Sequence, residues 1–190
     1  MISGCGILPY YINDDGETFF LLGRYKEKLE DLGGRIEKDE SSIECAVREF
    51  YEESGGMLWS IKDLTKMVRR NGRALILNTS YIDKDTHKKI TKSYISYALP
   101  IDYTDELESK INKYNIAKKF LMAHGRPLKV KDKDWRGGPF NINTVLNRRT
   151  CNYPEGFFEM DSLEWVNSVK LQIRKGLCYR LFRVMKLFYK

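Results

Sequence analysis

With 190 residues, 42% of them hydrophobic and 31% charged, the chain can bury one sizeable core, alone or with a large insertion, but not two full domains. Its four cysteines (Cys5, Cys45, Cys151, Cys178) form no CxxC pair, which argues against a zinc site or a disulfide framework and suits a reducing compartment. The net charge of +7 is unevenly spread: residues 1–56 hold 6 basic and 13 acidic side chains, so the remainder carries the positive excess. No basic n-region or long apolar run opens the chain, and no stretch approaches the ~20 apolar residues of a membrane span. A cytoplasmic protein with no membrane association and no obligatory protein partner is the expectation.

Ile7–Ile12 and Thr18–Tyr25 are short runs rich in aromatic and β-branched residues, and Asn13-Asp14-Asp15-Gly16 between them predicts the turn of a β-hairpin. Leu32-Gly33-Gly34 reads as a breaker. Asp39–Ser54 then reads as a helix: Ser41 and Glu44 make a capping box, and Ile43, Ala46, Val47 and Phe50 recur at helical spacing. Gly55-Gly56 ends it. Two strands are expected near Ala74–Ile82 and Ser93–Ile101, joined by the polar turn 83–89. Asp105–His124 carries the stripe Leu107, Ile111, Tyr114, Ala117 and Leu121, with Asp105 and Glu108 as its candidate cap. Residues 125–150 are basic and broken by Gly and Pro around Trp135 and Arg136. A strand near Phe157–Val166 and an amphipathic helix at 168–190 complete the chain. Strands mixed with helices, without regular βαβ alternation, favour α+β or a mixed-sheet α/β sandwich.

The chemistry concentrates between Gly34 and Gly56. Glu49, Glu52 and Glu53 stand at i, i+3, i+4 and share one helical face, while Ile43, Ala46, Val47 and Phe50 bury the other. Like charges so placed repel unless a cation sits among them. Oxygen-only ligands select hard divalent ions, Mg²⁺ or Mn²⁺ before zinc. A bare E-x-x-E-E is also what a solvated acidic helix face looks like, and the full spacing decides between the two. Gly34, Glu40, Arg48, Glu49, Glu52, Glu53 and Gly55, with Phe50 at the bulky position, match every fixed position of G-x5-E-x7-R-E-U-x-E-E-x-G-U. This segment resembles the Nudix box. Gly56 replaces the final aliphatic residue, a change that touches packing and not ligands. Glu159, six residues before Trp165, resembles a further late-strand glutamate found in many members of that family.

The resemblance implies a Nudix-like α/β/α sandwich of class α/β (α+β), a single domain over 1–190 with an insertion at about 103–150. It also implies a metal-dependent phosphohydrolase that splits a diphosphate linkage in a nucleotide or polyphosphate substrate. Glu49 and Glu53 would hold Mg²⁺ or Mn²⁺, Glu52 and Glu159 would serve as further ligands or as general base, and Glu40 would be an auxiliary ligand. Arg48 would pair with and orient the box glutamates, and Gly34 would allow the turn before the helix. Substrate contacts are expected from Arg24, Gly34 and Arg35, and from Trp135 and Arg136 in the insertion. Messenger-RNA decapping is the alternative activity, with the basic remainder (Arg69, Arg70, Arg73 and others) holding an RNA backbone. A nucleotide-binding module without turnover is the third reading, and the intact box argues against it.

Overall fold

The structure, a computed structural model, describes residues 1–82, 87–128, 151–154, 157–169 and 179–189. Strands β1 (Ile2–Ile12) and β2 (Thr18–Tyr25) pair antiparallel through the expected turn, with Ile12 opposite Thr18 and Tyr10 opposite Phe20. Three elements follow: the short strands β3 (Lys28–Glu30) and β4 (Leu32–Arg35), then helix α1 (Ser42–Glu53). Helix α2 (Ile61–Asn71) leads into the antiparallel pair β5 (Arg73–Ile82) and β6 (Lys89–Pro100). Helix α3 (Asp105–His124) precedes β7 (Gly125–Leu128) and β8 (Cys151–Pro154), which pair with each other in parallel. Strand β9 (Ser162–Asn167) and helix α4 (Tyr179–Phe188) close the described fold.

The main sheet runs β3-β2-β1-β6-β5, with β4 also on β1 and β9 on β2, and β1 and β6 lie parallel while its other pairings are antiparallel. It is therefore a mixed sheet. Alternate residues feed two cores, as the two-residue period of a strand demands. Cys5, Ile7, Leu21, Ile95 and Tyr97 join α1, α2 and α3 on one face. Leu8, Phe20, Leu22 and Ala98 meet Leu181, Val184 and Met185 of α4 on the other. The expected α/β/α layering results.

Several local expectations are corrected. Leu32-Gly33-Gly34 is not a breaker but the body of β4, with Gly33 opposite Gly6 and Gly34 opposite Cys5. The missing side chains let the two backbones and the Tyr94 hydroxyl approach closely, which outweighs the low strand propensity of glycine. Helix α1 starts at Ser42, because Asp39 is left-handed (φ 65°) and Ser41 caps the helix with the foreseen Glu44 box. Helix α2 was not foreseen: only Leu64 and Val68 are buried in it, too sparse a stripe to read as a period. The cap of α3 is Thr104, whose Oγ1 accepts from the Leu107 N–H at 3.1 Å, and not Asp105 with Glu108. Strand β9 begins at Ser162 because Phe158 turns the chain with φ 58°. The expected insertion opens with α3, whose stripe lies in the main core. Residues 129–150, Trp135 and Arg136 among them, and 170–178 of the expected terminal helix lie outside the described residues.

Candidate active site

Helix α1 and strand β4 together present the box. The Glu37–Glu40 turn carries Glu40 back towards α1, where the Glu37 N–H donates to Glu40 Oε2 at 3.0 Å. Arg48, one turn before Glu52, then becomes the hub of the site. Its Nε and Nη2 donate to the two oxygens of Glu40 at 2.8 and 3.1 Å, and Nη1 donates to Glu49 at 3.0 Å and Glu52 at 3.2 Å. Nη2 also reaches the Arg35 carbonyl at 3.0 Å. These bonds engage all five guanidinium donors. Burial opposes the charge on Arg48, yet Glu40, Glu49 and Glu52 more than offset it and raise its pKa. Glu40 is pulled down in return: burial works against its charge, and the Arg48 and Glu37 donors outweigh that.

Glu49 and Glu53 behave oppositely. Burial raises Glu49 above the usual carboxylate range, and the nearby Glu159 and Glu40 charges add to it against the pull of Arg48. Glu53 is 5% exposed, and its Oε2 has no hydrogen-bond partner among the described residues. Burial first, then the Glu49 charge, hold its pKa well above normal, with Asp31 and Glu159 adding to the effect and Arg180 opposing it. Gly34 leaves room beside them: a Cβ there would fall 2.4 Å from Glu49 Oε2 and push that carboxylate from its place.

The sequence-predicted residues are thus partly assembled. Glu40, Arg48, Glu49, Glu52 and Glu53 form one cluster, and Glu159, exposed in the turn before β9, lies within electrostatic reach of Glu49 and Glu53. Arg35 is exposed at the edge of this cluster. Arg24 instead pairs across β2 and β9 with Glu164, its Nε to Oε1 at 2.8 Å. Among the described residues no three acidic, histidine or cysteine side chains stand close enough to hold a metal ion as placed. Three of the expected ligands are turned to Arg48.

Two features escaped sequence reasoning. Asp31, fully buried, accepts from the Tyr94 hydroxyl (2.9 Å), Ser96 Oγ (3.2 Å) and Arg180 Nε (3.0 Å), which ties α4 to the sheet behind Glu53. On α3, Tyr114, Asn115 and Lys118 bond the backbone of residues 158–163. Lys118 stands at the 4,3 spacing that continues Leu107, Ile111 and Tyr114, and a charge on an apolar stripe was the available signal.

A family model described as the NUDIX domain matches residues 7–116. Among solved structures, the NUDIX domain of Shewanella oneidensis NrtR in complex with ADP ribose is similar at 9% identity and a TM-score of 0.51, covering 100% of this chain and 86% of that one. A C. elegans Ap4A hydrolase aligns at 11% identity and a TM-score of 0.46 over 100% of this chain and 96% of its own. The MutT protein of Methanosarcina mazei Go1 aligns at 18% identity and a TM-score of 0.44 over 97% and 91%. No curated protein matches the chain.

Proposed function

The chain belongs to the Nudix family of pyrophosphohydrolases, and from that premise we propose that it uses Mg²⁺ or Mn²⁺ to hydrolyse a diphosphate linkage in a nucleoside diphosphate-linked or other polyphosphate substrate. The observation that carries this reading is Glu53: a buried carboxylate with an oxygen unpartnered among the described residues, raised in pKa by burial and by Glu49. An arrangement that strains its own charge in this way favours a cation among the carboxylates. The donors are all carboxylate oxygens, which fits a hard divalent ion.

Glu49 and Glu53 are the residues that would hold the ion. Bound there, it would offset the diphosphate charge and acidify the attacking water. Glu52 and Glu159 would each serve as a further ligand or as the general base. Arg48 pairs with and orients Glu49 and Glu52, and Glu40 holds Arg48 from the other side. Arg35, exposed at the edge of the cluster, is a proposed substrate contact. A substrate phosphate has to compete with Glu164 for Arg24. Trp135 and Arg136 complete the proposed substrate contacts, within one domain spanning 1–190.

A substrate panel with product identification, in Mg²⁺ and again in Mn²⁺, tests the reading. Diphosphate cleavage that Glu53→Gln abolishes is the expected result. Wild-type turnover by that variant would defeat the assignment.

Turnover of capped RNA is the second reading, and one feature favours it. Arg69 and Arg70 in the last turn of α2 and Arg73 at the start of β5 are all exposed. Arg73 Nη1 donates to the Phe188 carbonyl at 3.4 Å, which brings the Lys186 turn of α4 alongside. Such a basic ridge suits a polyanion longer than a nucleotide.

A further inference from the structure

Strand β2 meets the turn that carries Glu159 at Asp161, whose N–H donates to the Arg24 carbonyl, and α3 supplies further partners along 158–163. Asn115 mimics a strand: its Nδ2 donates to the Leu163 carbonyl at 3.0 Å and its Oδ1 accepts from the Leu163 N–H at 2.8 Å. The Tyr114 hydroxyl donates to the Met160 carbonyl at 2.9 Å. Lys118 Nζ donates to the Phe158 carbonyl and, at 3.4 Å, to that of Glu159. Its side chain is only 12% exposed, a costly place for an ammonium group without such partners.

Phe158 joins this clamp to the box. Its N–H donates to the Glu52 carbonyl at 3.2 Å, and its ring stacks on Tyr114 with centroids 5.2 Å apart. A bulky residue at φ 58° is strained and persists only where its surroundings over-determine it. Those surroundings are the C-terminal end of α1 on one side and α3 on the other.

We propose that Asn115 and Lys118 are positioning residues that hold Glu159 against the box carboxylates. The proposal rests on the reading of Glu159 as a site carboxylate. Asn115 acts through the Leu163 backbone, and Lys118 through the Phe158 and Glu159 carbonyls with its ammonium also 3.9 Å from Asp161 Oδ1; neither touches a reacting atom.

A double-mutant cycle on the full-length chain tests it, with kcat and KM on a panel substrate and Mn²⁺ affinity from the EPR signal of free Mn²⁺. Lys118→Met and Asn115→Ala are each expected to reduce whichever quantity Glu159→Gln reduces, by about tenfold or more, because a misplacement near 1 Å is that costly. Lys118→Arg restores most of it. In the Glu159→Gln background, Lys118→Met should cost less than about twofold. Equal losses in both backgrounds, or a different quantity affected, would overturn the proposal and leave Glu159 in place. A Glu159→Gln protein indistinguishable from wild type would overturn both the role of Glu159 and its positioning, while the box reading stands. Should Asn115→Ala fail to fold, Asn115→Asp keeps the acceptor for Leu163 and loses only the donor; unchanged kcat and Mn²⁺ affinity in it and in Lys118→Met would equally end the proposal.

Discussion

Arg48 and Glu40 form a two-pronged ion pair, Nε to Oε1 at 2.8 Å and Nη2 to Oε2 at 3.1 Å, across the turn that leads into α1. The pair leaves one edge of the guanidinium for Glu49 and Glu52. Of the box carboxylates, Glu53 alone is given no bond to this arginine, and it is the one whose oxygen is stranded. The arginine therefore divides the cluster into three carboxylates that share its single charge and one that has no part of it.

Arg48→Ala should take the shared cation from Glu40, Glu49 and Glu52, whose side chains are 13%, 16% and 7% exposed. We expect a loss of about 2 to 4 kcal/mol, somewhat below the ~3–5 kcal/mol that breaking a fully buried ion pair costs, since Arg48 is itself partly solvated. Arg48→Lys keeps the charge but not the five-donor fork, and should recover about half. Urea unfolding measures both. A change under about 0.5 kcal/mol for the alanine variant would mean the network adds nothing to stability.

Glu53 links metal, pH and stability. Its folded pKa lies above the unfolded value, so the native state holds the proton longer. Its stability contribution is complete below the unfolded carboxylate range and is lost as pH rises through the folded pKa. Metal-free protein should thus melt at progressively lower temperature as pH rises above the ordinary glutamate range, and added Mg²⁺ should flatten that slope. Glu53→Gln should flatten it as well, without metal, while turnover falls at least about a hundredfold. Melting curves in chelator and in Mg²⁺ decide it: a slope unaffected by either change rules out Glu53 as the source.

Two glycines separate backbone strain from close approach. Gly16 has φ 78° with nothing within 4 Å of an added Cβ, whereas Gly55 has φ 61° and a Cβ there would sit 2.4 Å from the Phe158 ring. Gly16→Ala should cost about 1 kcal/mol, from the left-handed conformation alone. Gly55→Ala should cost about 3 kcal/mol or more and lower turnover too, because Phe158 must move and Glu159 follows it. Equal destabilisation of the two variants would show that Phe158 yields freely.

What could be read in advance follows from how local each signal is. The box, its Ser41–Glu44 cap and its Gly55-Gly56 stop lie within two dozen residues, and the structure forms them as spaced. The β1–β2 hairpin and the α3 stripe are local too. The reading failed where partners are distant in sequence. Gly33 and Gly34 become a strand only because β1 and Tyr94 close over them. Lys118 and Asn115 gain meaning only from residues some 40 to 50 positions away. The same holds for the arginine hub of the acidic face: Arg48 lies in the motif, but its five simultaneous bonds need Glu40 and the Arg35 carbonyl folded back onto α1. Arg24, expected to face substrate, meets Glu164 from a strand at the other end of the chain.

The choice between a small polyphosphate and a capped RNA turns on the basic ridge of Arg69, Arg70 and Arg73. If those three each hold one phosphate of an RNA, the logarithm of kcat/KM should fall by about 2 per decade of salt, or about 20-fold between about 50 and about 200 mM. Free cap dinucleotide has no phosphates to reach the ridge, so its turnover should be slower and nearly flat in salt. Arg69→Glu with Arg70→Glu should slow capped RNA by about tenfold or more and spare the dinucleotide, because the ridge lies on α2 and β5, outside the α1 carboxylates. Product release from both substrates across a salt series measures this directly. Equal rates on the two, with equal salt dependence, would leave the ridge without a role in catalysis and return the enzyme to a small soluble substrate.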